Sequence, residues 1–197
     1  MKGSTSDRLS RIEAKLTEFD QLASGVIELR VRDNNEVEVD MGQPILEPER
    51  IPFAAPAIAA HYLLQLGEQT LEIGAVSMGN PHSVLTVEDV DSADVEGLGP
   101  AIEAHADFPQ RTNAGFMQIV SRDTIRLRVY ERGVGETLAC GTGACAAVVY
   151  GINRGWLQDT VTVELPGGKL TIAWAGDGQP VMMTGPTEVV FEGSIRI

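Results

Sequence analysis

Cys140 lies in the run YERGVGETLACGTGACAA, residues 130–147, with alanine before it and glycine after it. The run reads as a strand, a glycine-rich turn and a small-residue helix, GACAAVVYGIN over 143–153, which places Cys140 just before a helix N-terminus. The first N–H groups of a helix find no partner inside it, so those of Gly141, Thr142 and Gly143 point outward. Such groups bind carboxylates. The same dipole stabilises a thiolate and is expected to lower the Cys140 pKa from about 8.5. A thiol beside a carboxylate-binding nest can act on the carbon next to that carboxylate, and the glycines allow a substrate to approach the backbone closely.

Other uses of the same residues stay open at this level. Cys145, five residues on and inside the helix, reads as inert packing. A disulfide between the two cysteines is disfavoured, because residues five apart on a helix face different directions. The spacing C-x4-C, with His82 and His105 far away in sequence, matches no common structural zinc pattern. The run CGTGAC lacks the lysine of a phosphate-binding loop. Lysines are few (Lys2, Lys15 and Lys169), which argues against Schiff-base chemistry.

The elements that must position this turn follow from periodicity. Residues 6–22 read as an amphipathic helix, with Leu9, Ile12, Leu16, Phe19 and Leu22 at steps of three and four. The period then becomes two, and residues 26–32 and 36–41 read as a hairpin around Asp33-Asn34-Asn35. Pro44, Pro48, Pro52 and Pro56, spaced every four residues, exclude a regular helix and mark 42–60 as a connector. Strands are predicted at 70–78, 83–88, 115–122, 124–131, 161–165, 169–175, 180–185 and 187–197, with a glycine- and proline-interrupted helix at 92–105. The class is α+β with mainly antiparallel pairing. The Ala/Gly-rich helix suits the centre of a tightly curved sheet.

The net charge of −13 disfavours nucleic acid and anionic membrane as partners. No apolar run is long enough to span a bilayer, and the first residues lack the apolar block of a secretory signal. With only two cysteines in 197 residues, the expected setting is reducing and cytoplasmic.

Four motifs in order, SMGNPH (77–82), RTNAGF (111–116), YERGVGET (130–137) and ACGTGA (139–144), resemble the C-terminal half of the diaminopimelate epimerase family. The stretches VELPGGKLTIAW and MTGP are similar too, and the resemblance runs from about residue 23 to residue 197. It implies one domain of a two-domain fold and conversion of LL- to meso-diaminopimelate, a step toward lysine and peptidoglycan precursors. No cofactor and no metal are implied: one thiolate removes the α-proton and a thiol on the opposite face returns another. Carried over by position, Cys140 is the proton-abstracting group. Gly141 and Thr142 hold the reacting carboxylate. Glu131 engages an ammonium group and assists catalysis, and Arg132 clamps the distal carboxylate. Asn80 and Asn113 are polar substrate ligands, and His82 influences catalysis from near the cysteine. The family also implies a homodimer.

The family's other half, with its partner cysteine, has no counterpart in this reading. Residues 1–22 read as an unrelated helix, 23–41 as the last hairpin of the other domain, 42–197 as the epimerase domain, and 187–197 as a strand packing toward the other domain. The expectation is a truncated enzyme, impaired on its own. The competing readings are a non-catalytic remnant acting as a binding module, and a relative acting on proline. A single-carboxylate substrate needs no distal clamp, so Arg132 speaks against the latter.

Overall fold

A computed structural model describes residues 29–32 and 36–187. The predicted helix at 6–22, the turn at 33–35 and the last strand beyond residue 187 lie outside the described residues.

Period-two stretches form the strands β1 (Leu29–Val31), β2 (Glu36–Asp40), β3 (Tyr62–Leu66), β4 (Gln69–Ser77), β5 (Pro81–Thr86), β6 (Asn113–Ser121), β7 (Thr124–Glu131), β8 (Gly135–Thr137), β9 (Thr160–Leu165), β10 (Gly168–Trp174) and β11 (Val181–Pro186). The helices are α1 (Val95–Glu103) and α2 (Gly141–Asn153). The sheet order is β1-β2-β11-β10-β9-β7-β6-β5-β4-β3, with β8 paired to β7. Only β5–β6 and β7–β9 run parallel among the described pairs. A parallel pair needs a crossover, and α1 and α2 supply the two that are required. The proline-spaced connector forms a single 3-10 turn at Pro48–Arg50, with proline in its first turn. The hairpin β1–β2 joins the same sheet, because β2 pairs with β11 from Met182↔Asp40 to Pro186↔Glu36.

Alternation divides the strand side chains between two cores. Val84 and Met117 pack with α2, while the adjacent Leu85 and Phe116 pack under α1 with Phe53, Ile102 and Phe108. Burial of α2 is continuous from Gly143 to Gly151, and the helix meets β4, β5, β6, β7, β10 and β11. The curved sheet around a small-residue helix is therefore as expected. Close approach explains the small residues: a Cβ on Gly143 of α2 would lie 3.2 Å from the Val129 side chain of β7. Two strands escape the sequence reading. β3 is a sheet edge whose burial alternates, but the exposed Leu63 (66%) puts an apolar residue on the outer face and hides the period of two in YLLQL. β8 is three residues long inside a glycine-rich turn.

Among the described residues no helix is long and apolar enough to cross a membrane.

Candidate active site

Register brings the chemistry together. In the β7–β8 hairpin, Val129 pairs with Thr137 and Glu131 with Gly135. Residues two apart share a face, so Glu131 and Thr137 join Val129 on the side that packs against α2. The chain then reaches Cys140, the N-cap of α2, held in extended conformation at φ −140° and ψ 104°. The loop before it is pinned from across the fold, where Gly167 N–H donates to Leu138 O at 2.7 Å. A Cβ on Gly167 would come within 2.9 Å of that same oxygen.

The Cys140 thiol donates to Glu131 Oε2 at 3.3 Å and lies 3.7 Å from Thr142 Oγ1. The other Glu131 oxygen, Oε1, accepts from the Thr137 hydroxyl at 2.5 Å. Both carboxylate oxygens are thus turned to the protein. Each oxygen keeps further acceptor capacity beyond these contacts. The first helical bond of α2 runs from Ala144 N–H to Cys140 O, so Gly141, Thr142 and Gly143 keep their N–H groups clear of the helical ladder, as expected.

The expected low thiol pKa is overturned. Cys140 is 6% exposed, and its pKa stands above the ordinary value. Loss of solvation is the largest cause, and the Glu131 charge adds to it. The Thr142 hydroxyl and the Gly143 amide pull the other way and do not win. Cys145 lies in the core, 0% exposed, with its thiol pushed up to about 12 by burial. Both cysteines are free.

Asn80, at the β4–β5 turn, reaches Thr142 Oγ1 with its Nδ2 at 3.5 Å. His82 Nε2 lies 3.1 Å from Asn80 Oδ1. Burial, with the charge of Arg132 second, lowers the His82 pKa to about 3, so the ring is neutral at physiological pH. Its hydrogen bond goes to Asn80, and it supports the site through that side chain. Asn113 is 3% exposed. Its Nδ2 donates to Pro81 O at 2.9 Å, and its Oδ1 accepts from Arg132 N–H at 2.9 Å. One of its two amide hydrogens remains uncommitted. The Arg132 side chain is exposed and donates from Nη1 to Gln110 O at 3.0 Å. Val134 and Leu138, which flank β8 in sequence, are 75% and 71% exposed.

All the predicted site residues therefore lie on one connected set of hydrogen bonds and adjoining turns. Thr137 closes the YERGVGET motif, where nothing in its residue type marks it for the site. Its signal is the β8 register, which places it diagonally across from Glu131. Among the described residues, no group of His, Cys, Asp and Glu side chains is arranged to hold a metal ion.

The diaminopimelate epimerase family profile matches residues 74–190. The diaminopimelate epimerase of Alkalilimnicola ehrlichii is 63% identical over 174 residues, covering 88% of this chain and 62% of that protein. That of Ectopseudomonas mendocina is 55% identical over 187 residues, covering 95% of this chain and 68% of that protein. The chain thus spans about two thirds of the length of these relatives. A crystal structure of a hydroxyproline epimerase from Agrobacterium vitis aligns with 94% of this chain and 63% of its own, with a TM-score of 0.58 at 15% identity. A probable proline racemase from Agrobacterium radiobacter aligns with 86% of this chain and 59% of its own, with a TM-score of 0.56 at 15% identity. At that identity these two share the fold.

Proposed function

This chain belongs to the diaminopimelate epimerase family, and on that premise we propose that it moves the α-proton of 2,6-diaminopimelate using Cys140 as the acid/base group. The observation that carries the reading is the Cys140 thiol at the α2 N-terminus, bonded to the Glu131 carboxylate.

The proton path follows from that contact. Glu131 Oε2 accepts the thiol proton, which leaves a thiolate under the N-terminal amides of α2. The thiolate then takes the α-hydrogen as a proton, and the bonding electron pair moves toward the substrate carboxylate. The obstacle is large. A gap of about ten pKa units between the α-hydrogen and a thiol corresponds to ~14 kcal/mol. Oriented N–H dipoles at Gly141 and Thr142 offset it by stabilising charge that builds on the carboxylate, in a site where little water competes. Asn80 orients Thr142, and neutral His82 holds Asn80. The uncommitted amide hydrogen of Asn113 meets the substrate. No cofactor enters the scheme. A free thiol at position 140 requires reducing surroundings, and the cytoplasm is the proposed location.

Inversion needs a second proton donor on the opposite face of the carbon. Of the two cysteines in these 197 residues, Cys145 is sealed in the core. The chain's own contribution is therefore proton removal and return on one face.

Arg132 supplies specificity, because its planar fork suits a distal carboxylate. Arg132→Ala is expected to weaken diaminopimelate binding about 10- to 100-fold. Lysine, which lacks the distal carboxylate, should lose less than about twofold. Isothermal titration calorimetry with both ligands decides this. Equal weakening of both, or of neither, contradicts the clamp, and no binding of diaminopimelate by the unmodified chain contradicts the proposed substrate. A protein built for a monocarboxylate such as proline shows no such selectivity.

A further inference from the structure

We propose that Glu103 is a positioning residue for the substrate clamp, binding together the two turns that present Asn113 and Arg132. The inference rests on the reading of Arg132 as the distal-carboxylate ligand.

Glu103 is the last residue of α1 and is 7% exposed. Its Oε1 accepts from Gly133 N–H at 2.8 Å and from Arg111 Nη1 at 3.2 Å. Its backbone oxygen accepts from Thr112 N–H at 3.2 Å. One residue therefore touches both the turn leading into β6 and the turn leaving β7. The first turn is strained: Arg111 holds φ at +60°, a region that non-glycine residues rarely occupy. It stays there because its N–H donates to Phe108 O at 2.8 Å and its guanidinium is held by Glu103. The strained residue is followed by Thr112 and Asn113, and Asn113 Oδ1 in turn fixes the Arg132 backbone. Gln110 O, in the same first turn, receives the Arg132 guanidinium.

Helix stability does not explain the acid. A negative charge at a helix C-terminus opposes the macrodipole, so Glu103 occupies the end of α1 where a carboxylate is least favoured by the helix itself. What it gains there is the Gly133 amide, one residue beyond the clamp, and the Arg111 guanidinium. Loss of the carboxylate frees both turns and lets Arg132 drift from its aim.

The test uses Glu103→Ala and Glu103→Gln in the 197-residue chain. Glutamine keeps an acceptor oxygen for Gly133; alanine keeps none. Hydrogen exchange by NMR is expected to show the Gly133 amide exchanging about tenfold faster or more in the alanine variant and near the unmodified rate in the glutamine variant. Calorimetry is expected to show diaminopimelate weakened about tenfold by Glu103→Ala with lysine changed less than about twofold. Unchanged Gly133 exchange overturns the proposal, as does equal weakening of both ligands, which marks a merely structural role. An unmodified chain that does not prefer diaminopimelate over lysine overturns the clamp reading and the functional half of this inference. The Gly133 exchange then still decides whether Glu103 holds the turn.

Discussion

Cys140→Ser is expected to slow exchange of the diaminopimelate α-hydrogen with solvent about 10²- to 10⁴-fold, the range typical of losing a positioned acid/base group. The substitution is chosen because serine is among the best N-cap residues. Cys140 caps α2 without a side-chain cap bond, so a serine there should leave the fold intact or slightly firmer. A hydroxyl of nearly the same shape keeps the contact with Glu131 but forms its anion far less readily than a thiol. Proton NMR in D2O measures the exchange, and thermal unfolding checks the fold. A stable serine variant that exchanges at the unmodified rate removes Cys140 from the mechanism.

The second large effect separates two actions of Glu131 that point in opposite directions. As the acceptor of the thiol proton, Glu131 promotes proton transfer. As a negative charge beside the thiol, it keeps the Cys140 pKa up. Glu131→Gln preserves the shape and an acceptor for the Thr137 hydroxyl but carries no charge. Solvent exchange of the α-hydrogen is therefore expected to fall about 10²-fold or more. Alkylation of Cys140 by iodoacetamide at neutral pH is expected to rise, because removing a like charge lets the thiol ionise at lower pH. In the unmodified chain, alkylation stays slow at neutral pH and climbs through the alkaline range. Its midpoint moves down in Glu131→Gln. Mass spectrometry across a pH series reads the midpoint. A midpoint that moves up, or α-hydrogen exchange that survives, contradicts the assignment of the Cys140–Glu131 pair.

The raised thiol pKa also shows where sequence reasoning stopped. The glycine-rich turn before a small-residue helix identified the helix N-terminus and the outward amides, because capping and helix termini are local properties of the chain. Burial of Cys140 is not local. Cys140 belongs to a cluster with residues far away in sequence, such as Val84, Met117 and Val129, which come together only in the folded sheet. Desolvation then outweighs the Thr142 hydroxyl and the Gly143 amide. Glu131 was identified by position, but its direction depends on the register of β8, a three-residue strand with no periodicity of its own to read. Glu103 was invisible for a similar reason: a glutamate near the end of an amphipathic helix looks like a solvated surface charge until Gly133 and Arg111 are seen against it. The curved sheet and central helix were legible because alternation and Ala/Gly content are composition-level signals. The parallel pairs β5–β6 and β7–β9 were not, since strand order depends on which crossovers the helices make.

The chemistry proposed for the buried Cys140 depends on excluding water. The amides of α2 act on a developing carboxylate charge more strongly where solvent is scarce. The same scarcity keeps the thiol protonated in the free chain. In the proposed mechanism the Glu131 contact gives the proton somewhere to go without moving it into bulk water.

The claim beneath all of this is that Cys140 works on one face of the α-carbon. Unmodified chain incubated in D2O separately with LL- and with meso-diaminopimelate, and followed by NMR for deuterium at the α-positions, tests it directly. The account predicts that deuterium enters α-centres of one configuration only, with that configuration retained, and leaves the opposite ones untouched. Equal labelling of both configurations, or no label at either although calorimetry shows binding, contradicts it.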